Sequence, residues 1–353
     1  MIWQEQLPGA PFGAHRGATV IPTETWDAAV KVLGDADEVA LACHVNPDGD
    51  AIGSMLALGQ ALCSLGKRVA CSWSGEERLH VPSSYVDLPG LELLVDPGGF
   101  PPAPQVFVAL DTGSLQRLGT LGAVTERAGM VLVIDHHASN EGFGTVELLD
   151  GSAAATAVLV EELINRLGVP LSPGIAACLY AGLITDTASF KHVSTTPAVH
   201  HVAARLLETG IRHDVISRTI WDTNTFGYVQ LLGALLSRSV LERDAVGGCG
   251  MVWSYSTRAD LEAYSVVFDE LEGVIDVLRT SAEAEVAVMC KQQLDGLWQV
   301  SMRSKGRVDI AAVCAELGGG GHRFAAGFTS SADVQPTMQR IRDALATAPQ
   351  LPA

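Results

Sequence analysis

The sequence predicts an α/β protein: a doubly wound, mainly parallel sheet in an N-terminal domain, joined by a helical connector to a smaller α/β domain with a mixed sheet. Three observations carry that expectation. Short apolar runs (VALAC, QVFVAL, VLVI) alternate with segments of helical period. Each of those runs stops at a histidine or an aspartate. From about Leu241 the pattern changes to strand-like GMVWSYS, AEVAVMCKQQ and LWQVSMRS with shorter helices between them. A chain of 353 residues, 48% hydrophobic and 18% charged, has room for two cores.

Taken in order, residues 1–21 read as a flexible tail; MIWQEQLPGAPFGAHRG lacks the basic and apolar regions of a secretory signal. The first domain is expected over 22–215. TETWDAAVKVL (23–33) is an amphipathic helix with Thr23 as its cap. The strand Val39–Cys43 stops at His44, HVNPDGD follows, and an Ala- and Leu-rich helix runs through Leu65 to a stop at Gly66. KRVACSW is a second strand, and 75–104 are irregular and proline-rich. QVFVAL (105–110) is a third strand that stops at Asp111, and VLVI (131–134) a fourth that stops at Asp135-His136-His137. Helical patterns at 152–167 and 173–184 follow, the second running into Asp186. Residues 216–240 carry no strand signal and form the connector, and 241–348 make the second domain. That domain has helices at GVIDVLRT and DIAAVCAEL, a glycine loop before His322, and a last helix from Val334 to Thr347.

The bulk numbers exclude some partners. A net charge of −17 repels a long polyanion, so long nucleic acid is excluded and a phosphate-bearing substrate must be small and held by local cations or metal ions. No apolar run is long enough to span a bilayer. Seven scattered cysteines, without a CxxC pair, point to reduced thiols and a cytoplasmic protein.

In open α/β sheets, ligands bind beyond the carboxyl ends of the strands. A turn residue and a helix cap would explain Asp48 and Asp50 alone, but not the recurrence of His and Asp at three strand ends. Imidazoles mixed with carboxylates suit a divalent metal of the manganese, zinc or magnesium type. With Asp186 the tally is enough for two ions sharing a carboxylate. In the second domain, Gly319, Gly320 and Gly321 allow close approach of a ligand, and their backbone N–H groups can cradle phosphate. Arg303, followed by Ser304, can bind phosphate bidentately, and His322 is a ligand contact. Lys305, Arg307 and Arg323 read as a solvated face. His192, His200, His201 and His213 read as surface or core histidines.

HVNPDGD, ALDTGS, VIDHHASN and GLITDTASF, in that order, resemble the four motifs of the DHH phosphoesterase family, and MRS and GGGGHRFAAG resemble the DHH-associated C-terminal domain. The two-domain size resembles the nano-RNase and phosphoadenosine-phosphate phosphatase branch, which includes cyclic di-AMP phosphodiesterases. The resemblance implies two manganese ions, with magnesium or cobalt able to substitute. His44 and Asp48 would hold one ion, Asp50 and His136 the other; Asp111 would bridge them and Asp186 complete the set. His137 would face the scissile phosphate, and Asp135 would orient a neighbouring histidine. Lys191, Arg303, Ser304, Gly319, Gly320, Gly321 and His322 would bind substrate. Ala188 and Lys191 stand where the family has glycine and arginine, so the charge is kept and the bidentate fork is lost. The expected reaction is hydrolysis of cyclic di-AMP and linear pApA to AMP, with a hydroxide shared by both ions as nucleophile. Nano-RNase or 3′-phosphoadenosine 5′-phosphate phosphatase activity is the alternative. The protein is expected as a monomer or homodimer.

Overall fold

The computed structural model describes residues 21–75, 78–140 and 142–351. Apart from Ile21, the tail expected over 1–21 lies outside them. The chain separates into two compact units, one through Thr223 and one from Asn224 on.

The first unit is built on five strands: β1 (Glu38–Cys43), β2 (Arg68–Trp73), β3 (Val106–Leu110), β4 (Met130–Asp135) and β5 (Val146–Leu149). All pair in parallel, in the order β2-β1-β3-β4-β5. The order reverses between β1 and β3, which makes a switch point there. Register then fixes the site: Cys43 pairs with Leu110 and Leu110 with Ile134. The next residues, His44, Asp111 and Asp135, therefore emerge side by side at the carboxyl edge. The edge strand β5 is short and only partly buried, and the apolar-run reading did not find it.

Six helices accompany the sheet: α1 (Thr23–Asp35), α2 (Gly49–Ser64), α3 (Thr156–Arg166), α4 (Pro173–Asp186), α5 (Pro197–Glu208) and α6 (His213–Trp221). Thr23 does not cap α1; Pro22 occupies that position, and its carbonyl accepts the first N–H bonds, from Thr25 and Trp26. The first five helices pack on one face, where Ile52, Met55, Leu56 and Leu62 meet Leu41, Val108 and Leu132. The fully buried ones each contribute roughly 1.5–3 kcal/mol on leaving water. A Cβ on Gly53 would lie 2.3 Å from the Cys178 carbonyl oxygen, so glycine is what lets α2 and α4 touch. The other face is covered by the 3₁₀ segment Leu115–Val124 and Phe100 rather than by α-helices.

The second unit carries β6 (Val240–Glu242), β7 (Met251–Ser256), β8 (Val286–Gln292), β9 (Trp298–Ser304), β10 (Gly320–His322) and β11 (Ala325–Ser330), in the order β10-β11-β9-β8-β7-β6. Only β7 and β8 pair in parallel, so the sheet is mixed. Its helices are α7 (Phe226–Ser237), α8 (Ala245–Gly248), α9 (Arg258–Tyr264), α10 (Val274–Arg279), α11 (Ile310–Glu316) and α12 (Val334–Thr347). One face packs Met338 and Ile341 against Val288, Val300 and Met302; the other packs Leu231, Leu235, Ile275 and Leu278 against Ala287 and Met289.

Two expectations are corrected. The connector over 216–240 is not a separate element: α6 ends in the first unit, while α7 buries Leu231 and Leu235 in the core of the second. The glycine run is not a free loop either, because Gly320–His322 forms the edge strand β10 against β11. Among the described residues, no helix is long and apolar enough to cross a membrane.

Candidate metal centre

The residue after β1 is His44, buried to 3% exposure. Its Nδ1 donates to the Val45 carbonyl at 2.8 Å. Its Nε2 therefore faces Asp111 Oδ2 at 3.5 Å and Asp48 Oδ2 at 3.8 Å. Asp48 is the N-cap of α2, and its Oδ1 accepts from the Asp50 and Ala51 amides, both at 3.1 Å. One oxygen caps the helix and the other turns to the cluster, so capping and ligation do not compete.

Asp50 is fully buried in the first turn of α2. It accepts from the Thr156 amide (2.6 Å), the Ala157 amide (2.9 Å) and the Ser54 hydroxyl (3.1 Å). Its carboxylate thus sits at the start of α3, where unpaired N–H groups favour an anion. Asp111 adopts φ = 52°, a left-handed conformation that a non-glycine residue rarely holds. Its Oδ1 accepts from Thr156 Oγ1 at 3.0 Å and lies 3.5 Å from His136 Nε2. The His136 Nδ1 donates to the Ala153 carbonyl at 3.2 Å, which aims Nε2 at Asp186 Oδ2 (3.0 Å) and Asp50 Oδ2 (3.9 Å).

Among the donor groups that the described residues form are two that hold predicted ligands alone: His44 with Asp48 and Asp111, and Asp50 with Asp111 and His136. In each, one donor atom per residue lies within 4.8 Å of the others, and Asp111 is common to both. Asp186, at the end of α4, joins through His136 and stands outside both trios.

The electrostatics show what such a cluster lacks. Burial, then the charges of Asp111 and Asp186, push the Asp50 carboxyl well above its ordinary range. Burial pushes Asp186 up to about 6, against the hydrogen bond from His136. Burial disfavours a charged His44, yet hydrogen bonds to Asp111 and Asp48 outweigh it and hold the imidazole at about 10. Burial opposes the ionised Asp111 too, but the imidazoles of His44, His136 and His137 hold it well below the carboxylate range. Carboxylates crowd a dry site that is short of positive charge, and imidazoles take up protons to supply it. Divalent cations would supply it instead, releasing those protons. Both anchored imidazoles present Nε2 to the carboxylates, the arrangement of metal-ligating histidines. The donor set fits divalent ions.

Beside the cluster, His137 Nδ1 donates to Asp135 Oδ1 at 2.7 Å, so His137 is the histidine that Asp135 orients. The other Asp135 oxygen accepts from Asn140 Nδ2 at 2.7 Å, and Asn140 also donates to the Thr112 carbonyl at 3.0 Å. Arg117 Nη1 lies 3.4 Å from His137 Nε2. Sequence reasoning missed Arg117, Asn140 and Thr156, and also His192, whose Nδ1 donates to the Asp186 carbonyl at 2.9 Å. Asn140 lies inside the motif VIDHHASN, and Arg117 is a cation on the loop after Asp111; both could have been found. Thr156 gave no local signal.

The predicted substrate contacts fare unevenly. Lys191 is exposed, and its backbone N–H donates to the Thr187 carbonyl at 2.8 Å. It follows three left-handed residues, Ala188, Ser189 and Phe190 (φ 46°, 56° and 65°). In the second unit, Arg303 is half-buried on β9 and His322 is exposed on β10. Ser304 is corrected: it is 4% exposed, and its hydroxyl donates to Glu285 at 2.7 Å while accepting from the Gly306 (3.1 Å) and Val308 (3.3 Å) amides. The hydroxyl is taken up in holding its own loop to Glu285. Strand packing accounts for two of the glycines. A Cβ on Gly319 would lie 2.1 Å from the Gly327 carbonyl oxygen, and Gly321 combines φ = 140° with a Cβ position 2.7 Å from Ala326 Cα. Gly320 faces open space.

Residues 38–183 match the DHH family, N-terminal domain, and residues 263–350 match the DHHA1 domain. The bifunctional oligoribonuclease and PAP phosphatase NrnA of Thermus thermophilus is 35% identical over 308 residues, covering 87% of this chain and 89% of that protein. The cyclic-di-AMP phosphodiesterase GdpP of Geobacillus thermodenitrificans is 24% identical over 336 residues, covering 89% of this chain but 48% of its own length. The crystal structure of an exopolyphosphatase-related protein from Bacteroides fragilis superposes with a TM-score of 0.84 at 25% identity, covering 94% of this chain and 98% of that one.

Proposed function

This chain belongs to the DHH family and is a metal-dependent hydrolase of phosphoester bonds, and from that we propose that it is an oligoribonuclease and 3′-phosphoadenosine 5′-phosphate phosphatase. The observation that carries the substrate reading is the near full-length likeness to NrnA. Cleavage of cyclic di-AMP and pApA to AMP is a second reading, favoured by the more distant likeness to GdpP. A net charge of −17 supports small substrates over polymers in either case.

We assign His44 and Asp48 to one ion, Asp50 and His136 to the other, Asp111 to both, and Asp186 to the His136 side. Bound manganese, or magnesium or cobalt in its place, would act as a Lewis acid on the phosphoryl oxygens and lower the pKa of water. The protein supplies the positioning. Val45 and Ala153 carbonyls hold the two imidazoles by Nδ1. The α3 amides fix Asp50, and Thr156 Oγ1 fixes Asp111. His137, anchored by Asp135, stands on the phosphoryl side, and Lys191, Arg303 and His322 serve as nucleotide contacts.

The test is product chromatography on manganese-loaded protein given a short RNA, 3′-phosphoadenosine 5′-phosphate and cyclic di-AMP. AMP from the second and mononucleotides from the first are expected. Consumption of cyclic di-AMP alone would replace the first reading with the second.

A further inference from the structure

The loop after Asp111 carries a cation that the ligand set does not use. Arg117 follows Asp111 by six residues in the 3₁₀ segment Leu115–Val124. Its backbone is held on both sides: the N–H donates to the Ser114 carbonyl at 3.1 Å, and the carbonyl accepts from the Val45 amide, next to His44, at 2.9 Å. The guanidinium is half-buried, with Nη1 3.4 Å from His137 Nε2.

A guanidinium has five donors and no acceptor. Facing it, His137 Nε2 must accept. The ring proton is then on Nδ1, which donates to Asp135 Oδ1 at 2.7 Å, and Asp135 Oδ2 accepts from the Asn140 amide at 2.7 Å. Both ends of this row, an amide N–H₂ and a guanidinium, can only donate, so the polarity of every bond between them is set. His137 Nε2 offers a lone pair and cannot itself hydrogen-bond a phosphoryl oxygen. The donors beside it belong to Arg117, and the planar fork of a guanidinium matches two phosphate oxygens.

We infer that Arg117 grips the nonbridging oxygens of the phosphoryl group being hydrolysed, and that His137, held by Asp135 and Asn140, positions Arg117 instead of touching phosphate. This deepens the phosphoesterase reading and rests on it for the identity of the ligand.

The test uses the full manganese-loaded chain. Binding of inorganic phosphate and of AMP is measured by calorimetry for the wild type, Arg117→Met, Arg117→Lys, His137→Asn and the His137→Asn/Arg117→Met double variant, with kcat, KM, manganese titration and thermal melts in parallel. Losing a charge-assisted bond should weaken phosphate and AMP binding, and lower kcat/KM, by roughly 10- to 100-fold in Arg117→Met, with manganese affinity and melting temperature unchanged. Arg117→Lys, which restores charge without the fork, should fall between. Adding His137→Asn to Arg117→Met should cost little more, because both act through one guanidinium. Unchanged phosphate binding in Arg117→Met overturns the assignment, and full additivity of the two losses overturns the positioning role. If the wild type binds phosphate through Arg117 yet cleaves none of the three substrates, the activity reading fails and this one stands.

Discussion

Asp111→Asn isolates the shared carboxylate. The amide is the same shape, so its oxygen can still accept from Thr156 Oγ1 and no cavity opens. What is lost is one negative charge whose two oxygens face different imidazoles, Oδ2 toward His44 and Oδ1 toward His136, each at 3.5 Å. Both ions should therefore bind more weakly, by about 100-fold if each loses one charge-assisted contact of about 3 kcal/mol. At a free manganese concentration near 100 times the dissociation constant, each occupied site adds about 2.7 kcal/mol to stability, so two sites add about 5 kcal/mol. In the variant, that concentration roughly equals the dissociation constant, and the gain falls to about 0.8 kcal/mol for both sites. For a unit of this size, 1 kcal/mol shifts melting by about 2–4 °C. Manganese should thus raise the melting temperature of the wild-type first unit by about 10–20 °C and that of the variant by about 2–3 °C. Calorimetric scans with manganese and with a chelator give both increments. An increment in Asp111→Asn close to that of the wild type would refute the shared-carboxylate reasoning, and retained turnover would do so independently.

Three other outcomes follow from the same geometry. Asp135→Asn should leave manganese titration unchanged but lower kcat by about 10- to 100-fold, since one amide oxygen is left for two donors, His137 Nδ1 and Asn140 Nδ2, and the new N–H₂ faces one of them, so the ring is no longer fixed; a matched kinetic and metal-binding measurement checks this. In chelator, the stabilisation from a His44 raised to about 10 is fully present below its ordinary 6.5 and is lost as pH rises through about 10. Metal-free melts should therefore fall between pH 7 and 10, and manganese, which keeps the ring neutral, should flatten that slope. Glu285 accepts from Ser304 Oγ and from the Lys305 and Arg307 amides at 2.7–2.9 Å. Glu285→Ala strands those donors and should destabilise the second unit by about 2–4 kcal/mol, read as a lower urea midpoint.

The α/β class, four of the five strands of the first sheet, and the candidate residues His44, Asp48, Asp50, Asp111, His136 and Asp186, which the fold brings together, were legible in the chain, because three of those strands are apolar runs that stop at a polar residue. The short, half-buried β5, and the edge pair β10 and β11, were not legible. Glycine- and alanine-rich edges bury too little to show a pattern, and Gly319 and Gly321 are explained by the strand lying against them. Ser304 was misread for a related reason: a hydroxyl beside an arginine looks like a ligand contact until its acceptor, Glu285, is seen 19 positions away.

By itself, then, the order of residues determined which chemical groups this protein owns and that they lie where strands end. Local sequence carries that much because strand length and capping are short-range physics. Only the tertiary structure decided how the groups are used. The register of β1, β3 and β4 sets His44, Asp111 and Asp135 in one row, α3 arrives 106 residues after Asp50 to hold its carboxylate, and Arg117 comes to face His137. Those contacts join positions far apart in the chain, and a hydrogen bond depends on distance in space.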